Sequence, residues 1–311
     1  MQRAPKVSII ILNWNGFDDT KECIESLLKV GYENYSVIVV DNGSRGNDAE
    51  KLREFFNGKI TVLETGKNLG FAGGVNVGIR YALKNYNPDY ILLLNNDTIV
   101  GKNFLRILVK ALETKEEYGI AGPKIYYYDA PQKIWYAGGR LTTYLIHFHI
   151  GEGKYDAEKY NKPYITDFVT GACMLIKRKV IEKIGLLDTV YFLGWEDIDY
   201  CIRAKKVGFK CLYVPYSVIW HKVSSSYKKH GISYAQLYYG YRNRLVFRAK
   251  HLTLPAFIIY LYFYIFQFFI NVFYYMIIYQ YELIKVASVF KGAYDGLKLS
   301  IKILKQKTLH C

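Results

Sequence analysis

Glu196, Asp197 and Asp199 follow directly on Trp195 in the stretch YFLGWEDIDYCIR, residues 191–203. A proton acceptor must be a carboxylate or an imidazole within hydrogen-bond reach of the group it deprotonates. A flat aromatic face is what a sugar ring stacks on. Acids beside an indole, entered through Gly194, therefore suit acid/base work on a ring-shaped substrate. The same acids suit a helix start, where carboxylates favour the macrodipole and the basic Arg203, Lys205 and Lys206 favour the far end. This stretch alone supports both readings, and the elements upstream must separate them.

Those elements alternate. VSIIIL (7–12) reads as a buried strand ending at NWNG, and YSVIVV (35–40) as a second ending in DNGS. Residues 59–63 read as a third strand, and YILLL (90–94) as a fourth ending in NND. Helical spacing covers 18–29, 47–56 and the run that follows the Gly-rich NLGFAGGVNVGI. Near-continuous apolar strands alternating with helices predict a parallel sheet covered on both faces. In such sheets ligands bind at the carboxyl ends of the strands. Asn13 and Asn15, Asp41 to Ser44, and Asn95 to Asp97 all fall at strand ends, which points to one shared cleft. The Gly-rich run is not GxGxxG, so a dinucleotide fingerprint is not indicated. Its glycines suit close approach of a phosphate at a helix N-terminus, or a loop needing positive φ.

Further on, short strands are expected at 124–128 and 134–137, and residues 142–163 suit a mobile loop. Residues 168–176 predict a strand in which Gly171 permits close approach of a ligand or backbone. Residues 210–214 predict another strand, and His221 lies just past the apolar SVIW.

The chain of 311 residues buries a core without disulfides. Its five cysteines form no CxxC pair, which suits a reducing compartment and opposes a structural zinc or iron–sulfur site. The apolar run after MQRAPK is too short for a signal peptide. Of the net charge of +15, the last 71 residues carry +8. A basic tail suits nucleic acid or an anionic membrane surface. Residues 251–281 contain no Asp, Glu, Lys or Arg, and thirteen of them are Tyr or Phe, which selects the membrane. As one helix this run is about 46 Å long, beyond the ~30 Å hydrocarbon layer and short of two spans. Basic residues flank both ends. The favoured arrangement is therefore an in-plane helix on the cytoplasmic leaflet, with tyrosines at headgroup level. One tilted span and an aromatic dimer interface are the alternatives. No nucleic-acid motif appears.

In order, VSIIILNWNG, VIVVDNGS, NLGFAGGVNVGI, LLLNNDT, FVTGACMLIKR, GLLDTVYFLGWEDIDYCIRAKKVGFKCLYVP and WH closely resemble family 2 glycosyltransferases, best the rhamnosyltransferase-like branch, over residues 5–225. The resemblance implies a GT-A fold: an α/β, Rossmann-like, mostly parallel sheet flanked by helices, here over residues 1–240. The basic, aromatic tail of 241–311 follows it. The implied reaction is inverting transfer of a sugar from a nucleoside diphosphate to a hydroxyl of a glycan or lipid-linked acceptor. The pattern leans towards dTDP-rhamnose, with UDP-hexoses open.

Carried over residue by residue, Asp41 matches the nucleotide-binding acid. Asn13 and Asn15 line its pocket, and Asn68, Gly70 and Gly74 the sugar-donor side. Asn95, Asn96 and Asp97 stand where the family has DxD, with Asn95 departing at the first position. Asp97, with His221, is then left to hold a divalent cation, Mn2+ or Mg2+. Asp197 matches the catalytic base, beside Glu196, whose charge raises the base's pKa if the two carboxylates are close. Trp195 is the acceptor-stacking candidate. The implied partners are the nucleotide sugar, the acceptor and, through 251–311, membrane lipids at the cytoplasmic face of the membrane, with a homo-oligomer as an option. The rival reading is an inactive nucleotide-sugar-binding scaffold, which Asn95 favours and the intact Glu196–Asp197 pair opposes.

Overall fold

The computed structural model describes residues 4–223, 233–278 and 283–309, so residues 279–281 of the uncharged run and Cys311 lie outside the described residues. The chain divides into two compact units. The first comprises residues 1–140, 147–192 and 196–225, and the second residues 141–146, 193–195 and 226–311.

The first unit is an α/β sandwich around a single large sheet. Its opening elements are β1 (Val7–Asn13), α1 (Phe17–Leu27), β2 (Tyr35–Asp41), α2 (Asp48–Phe56), β3 (Thr61–Glu64), α3 (Gly70–Asn85) and β4 (Tyr90–Asn95). Residues Ile9, Ile10, Ile11, Ile38 to Val40 and Leu92 are fully covered, or nearly so, because helices lie on both faces. That is the burial that continuous apolar strands require. The strands run parallel, in the order β3-β2-β1-β4. Their register sets Asn13 opposite Asp41 and Leu12 opposite Asn95. Three polar strand ends are thereby brought to one edge.

Helix α3 lies close on this sheet because it has glycine where it meets the strands. A Cβ on Gly74 would stand 2.3 Å from Leu12 Cδ1, and one on Gly78 would stand 2.6 Å from Ile10 Cγ2 and 3.0 Å from Val40 Cγ2. Overpacking of this kind costs about 1–3 kcal/mol. Gly78→Val is expected to lower Tm by several degrees in a thermal unfolding scan. An unchanged Tm would mean that α3 can lift off the sheet freely.

The second half of the sheet is mixed. After β5 (Thr98–Val100) and α4 (Phe104–Glu113) come β6 (Tyr118–Tyr127), β7 (Ala130–Tyr136), β8 (Gly139–Leu141), β9 (His147–His149) and β10 (Tyr164–Thr166), of which β8 and β9 pair only with each other, in a two-stranded sheet of their own. Then follow β11 (Cys173–Lys177), α5 (Arg178–Ile184), α6 (Glu196–Lys206) and β12 (Lys210–His221). Strand β11 enters antiparallel between β4 and β6, and β12 pairs parallel with β6. Strand β6 starts earlier than the sequence suggests, and β12 continues through Pro215. Pro123, which speaks against an interior strand, pairs with Val214 where a register shift on β12 spans Val214 to Val218. The irregularity accommodates both prolines.

Within the region expected to be a mobile loop, residues 154–161 are instead tied to β6 and β7. Ile134 donates its amide to Lys154 O and Asp156 donates its own to Gln132 O. The buried Lys124 ammonium donates to Asp156 Oδ2 at 2.9 Å and also to Asn161 Oδ1. An ammonium on a central strand needs such partners, and the sequence gives no sign of where they come from.

The second unit is helical: α7 (Tyr234–His251), α8 (Leu254–Ile278) and α9 (Leu283–Leu309). A capping box starts α7, with Ser233 Oγ accepting from Gln236 N at 3.2 Å and Gln236 Oε1 accepting from Ser233 N at 2.8 Å. Gly292 of α9 lies against α7, where a Cβ would stand 2.3 Å from Tyr238 O. One turn on, Asp295 Oδ2 accepts from Tyr238 Oη at 2.8 Å. These contacts give a packing reason for the KGAYDGL run.

Helix α8 buries one stripe, Phe257, Tyr260, Tyr264, Phe268 and Val272, in the core of this unit. Among its described residues the opposite side is largely exposed and apolar, with Tyr262 73%, Phe266 67% and Phe273 68% accessible. The stretch Leu254–Phe273 is long and apolar enough to cross a membrane, by length and composition.

Candidate active site

Three of the predicted polar strand ends are joined by a hydrogen-bonded relay. Asn96 Nδ2 donates to Thr20 Oγ1 at 3.0 Å, Thr20 Oγ1 to Asn13 Oδ1 at 2.7 Å, and Asn13 Nδ2 to Asp41 Oδ2 at 2.8 Å. Thr20, fully buried on α1, is the residue the sequence did not flag. Its hydroxyl accepts from one strand end and donates to the next, which only a hydroxyl or water does readily.

Around Asp41 the loops are organised tightly. Ser44 donates its amide to Asp41 Oδ1 at 2.9 Å and its hydroxyl to Asp41 Oδ2 at 2.6 Å. Asn13 Nδ2 also reaches Asp48 Oδ2 at 3.0 Å. Asn15 sits at φ 52° and accepts from Arg45 N at 2.8 Å. A recess of about 380 Å³ opens here, lined by Asp41, Gly43, Ser44, Arg53 and Glu64 among others. A larger one, about 740 Å³, is lined by Pro5, Asp89, Lys177 and Arg178. It lies at the amino ends of β1 and β4, opposite the edge where such sheets bind ligands.

Just past Asp41, Asn42 anchors the Gly-rich run. Its Nδ2 donates to Asn68 Oδ1 and to Gly70 O, both at 3.1 Å, and its Oδ1 accepts from Leu69 N at 3.0 Å. Gly70 has φ 74°, and a Cβ there would stand 2.4 Å from Phe192 O. Both the backbone angle and the space exclude a side chain. Gly74 faces Leu12 and Asn42 in the helix–sheet packing rather than open space.

Asp97 and His221 meet, 124 residues apart in sequence, with His221 Nε2 3.0 Å from Asp97 Oδ1. Strand β12 pairs antiparallel with β5, setting His221 opposite Thr98, and Lys222 N donates to Asp97 O at 2.9 Å. Lys222 Nζ is gripped by Asp19 and Glu22 of α1, each at 2.6 Å. Asn95 Nδ2 lies 3.5 Å from His221 Nε2. Among the described residues no three His, Cys, Asp or Glu converge as a metal cluster. The Asp97–His221 pair sets a carboxylate beside an imidazole, a donor set that would suit a divalent cation such as Mn2+ or Mg2+.

The acidic stretch of residues 196–199 separates into distinct parts. Asp199 is fully buried and pairs with Arg203 Nε at 2.7 Å, while Arg203 Nη1 and Nη2 each donate at 2.9 Å to Ile184 O and Leu186 O. These two residues hold α6 to the turn before it. Glu196 is buried at the start of α6. Asp197 is held by one backbone amide on each oxygen, with Gly171 N donating to Oδ2 and Ile198 N to Oδ1, each at 2.8 Å. Gly171 thus serves close approach of a side chain from another element.

Burial is the main cause that raises the Asp197 pKa above its ordinary value, and the amides of Gly171, Ile198 and Asp197 itself draw it partly back. Desolvation leads among the causes of this shift. Trp195 belongs to the helical unit. Its ring lies 5.0 Å from that of Phe247, and the Arg248 guanidinium stands 5.2 Å over it. Asn243 Nδ2 donates to Leu193 O at 3.0 Å and Gly194 O at 3.1 Å. Trp195 has φ 81°, an uncommon value for a residue with a side chain.

Residues 8–185 match the family model described as glycosyl transferase family 2. The chain belongs to this family. The glycosyltransferase is 28% identical over 249 residues to the low-salt glycan biosynthesis hexosyltransferase of Haloferax volcanii, covering 77% of this chain and 74% of that protein. It is 27% identical to an N-acetylglucosaminyl-diphospho-decaprenol L-rhamnosyltransferase of Mycobacterium tuberculosis, covering 61% and 68% of the two chains. The rhamnosyltransferase-like character read from the motifs is thus supported. A mannosyltransferase of Pyrobaculum calidifontis, solved in complex with GDP-Man and Mn2+, matches with a TM-score of 0.59 at 15% identity, over 95% of this chain and 88% of that one. That likeness shows the fold, which is GT-A.

Proposed function

We propose that this glycosyltransferase moves a sugar from a nucleoside-diphosphate donor to a hydroxyl of a glycan or lipid-linked acceptor by a single inverting displacement, with Asp197 as general base. The observation that carries the reading is the Asp197 carboxylate, held by two backbone amides and desolvated enough to raise its pKa. A base held in one orientation and shifted towards the working pH is what proton transfer in a transition state requires.

In the proposed step the acceptor hydroxyl oxygen bonds to the anomeric carbon as its proton passes to Asp197. The bond from that carbon to the diphosphate oxygen breaks, and the nucleoside diphosphate leaves with the electron pair. With one base and no protein nucleophile in the scheme, the configuration inverts. The recess bordered by Asp41 and Ser44 takes the nucleoside, with Asn13 bracing Asp41 and Asn15 bracing Ser44. Asn68, held by Asn42, and Gly70 set the loop on the sugar-donor side. Asn95 and Asn96 flank the diphosphate, and Glu196 sets the carboxyl environment beside the base. Asp97 and His221 would hold a divalent cation, Mn2+ or Mg2+, whose charge would offset that of the departing diphosphate. The Pyrobaculum complex with Mn2+ and the donor set of this pair support that assignment.

Membrane association completes the proposal. The Mycobacterium relative is named for a polyprenyl-linked acceptor. Helix α8 offers an exposed apolar face, and α9 carries Lys291, Lys298, Lys302 and Lys305, which suits an anionic leaflet. We assign the helix to the plane of the cytoplasmic leaflet, where its buried stripe faces α7 and α9 and its exposed face meets acyl chains.

The test is a panel of nucleotide sugars, dTDP-rhamnose and UDP-hexoses first, incubated with membranes containing the full chain and an extracted lipid acceptor. Transfer of one sugar to the lipid fraction, with inversion by product NMR, is expected. No transfer across the panel, with nucleotide binding retained, would favour a binding scaffold. Alkaline carbonate is expected to release an in-plane helix, whereas a spanning one stays with the pellet.

A further inference from the structure

The sense of the relay through Thr20 is fixed from one end. Asn13 Nδ2 stands 2.8 Å from Asp41 Oδ2, 3.0 Å from Asp48 Oδ2 and 3.2 Å from Ser44 Oγ. An ionised carboxylate only accepts, so the amino end of the Asn13 amide must face the two acids and its oxygen must face away. Asn13 Oδ1 then takes the Thr20 hydroxyl proton, at 2.7 Å. With its one proton spent, Thr20 Oγ1 is left to accept, and it accepts from Asn96 Nδ2 at 3.0 Å. The charges of Asp41 and Asp48 thus dictate which end of the Asn96 amide is turned to α1.

The two ends of the relay are not equally supported. Asp41 has the Ser44 amide at 2.9 Å and the Ser44 hydroxyl at 2.6 Å, neither of which depends on Thr20. For the Asn96 side chain, Thr20 is the hydrogen-bond partner among the described residues. Its neighbour in packing is Gly16, where a Cβ would stand 2.7 Å from Asn96 Nδ2. Gly16 and Thr20 lie one turn apart, with Thr20 N donating to Gly16 O at 2.9 Å. The first turn of α1 therefore cradles the Asn96 amide, with a bare backbone on one side and a hydroxyl on the other. Thr20 is fully buried, so bulk water does not stand in for that hydroxyl.

We propose that Thr20 is a positioning residue for the diphosphate of the sugar donor: its hydroxyl, oriented by Asn13, holds the Asn96 amide just past the end of β4, while the nucleoside end keeps its own supports. The inference rests on the proposed seat of the nucleoside diphosphate, with Asn96 beside its phosphates. Thr20 touches neither nucleotide nor sugar in this scheme.

The test uses the full chain in detergent with Mn2+ present throughout. Ligand-observed NMR titration compares UDP with uridine and dTDP with thymidine, since the diphosphates reach Asn96 and the nucleosides alone do not. Thr20→Val keeps the shape and removes the hydroxyl, Thr20→Ser keeps the hydroxyl, and Gly16→Ala displaces Asn96 while leaving Thr20 in place. Leaving buried polar groups unpaired is expected to weaken diphosphate binding by about 5–20-fold in Thr20→Val, with nucleoside binding unchanged within about threefold. Thr20→Ser is expected to restore diphosphate binding, and Gly16→Ala to reproduce the diphosphate-selective loss. Equal losses for nucleoside and diphosphate in both Thr20→Val and Gly16→Ala would make the relay merely structural and overturn the proposal. Wild-type diphosphate affinity in Thr20→Val overturns it as well. A wild type that binds neither diphosphates nor nucleosides would instead overturn the proposed seat of the donor.

Discussion

Asp197→Asn is expected to lower kcat by about 10²–10⁴-fold, the range that general-base catalysis supplies. The substituted amide fills nearly the same space and has no basic oxygen. Its NH2 group meets one of the two backbone amides that donate to the carboxylate, from Gly171 and Ile198. Sugar-nucleotide affinity, measured by calorimetry, should stay near wild type, because in this scheme Asp197 acts on the acceptor hydroxyl. Retained turnover would remove Asp197 from the mechanism. Lost turnover with equally lost nucleotide affinity would make it a structural residue.

The pH dependence has a definite sign. The base acts only when ionised, and burial raises its pKa. The acid limb of the kcat/KM profile should therefore fall at a higher pH than an ordinary aspartate would give, with activity lost as the pH drops through it. The same shift bears on stability in the opposite sense. A carboxyl whose folded pKa is raised stabilises the fold fully below its unfolded pKa, and that contribution is lost as pH rises through the folded value. The Tm advantage of wild type over Asp197→Asn should therefore shrink as pH rises.

The second large effect is expected at Asp97. Asp97→Ala leaves His221 as the sole protein donor of the pair, which meets Asp97 at 3.0 Å. If the pair holds a cation that offsets charge on the leaving diphosphate, several kcal/mol of transition-state stabilisation are at stake. That corresponds to a loss in kcat/KM of about 10²–10³-fold. The concentration of Mn2+ giving half-maximal rate should rise as well. EDTA should abolish wild-type transfer, and added Mn2+ should restore it. A wild type indifferent to EDTA, together with an active Asp97→Ala, would show that Asn95 marks a member of the family working without the cation.

The strand ends were readable because they rest on local patterns. Apolar runs ending in NWNG, DNGS and NND place Asn13, Asp41 and Asn95 at carboxyl ends. A parallel register then brings them side by side, as β1, β2 and β4 do. Helix α6 was readable for a similar reason, with Asp199 and Arg203 one turn apart and paired. The mixed half of the sheet was less legible. Pro123 and Pro215 contradict the usual strand pattern, and the irregular pairing that admits them involves residues about ninety positions apart.

Local pattern carries the alternation of strands and helices, the ordered family motifs, the identity of the acids and the imidazole, and an uncharged aromatic segment beside basic ones. Each is a property of residue type and short spacing. The tertiary structure decided which of these groups meet and what environment each meets in. It joined three strand ends through Thr20, set His221 against Asp97 and Trp135, and gave Gly171 to Asp197. It also made desolvation the leading cause of the base's raised pKa. Such outcomes depend on contacts between residues far apart in the chain and on exclusion of water, and neither is written in local spacing.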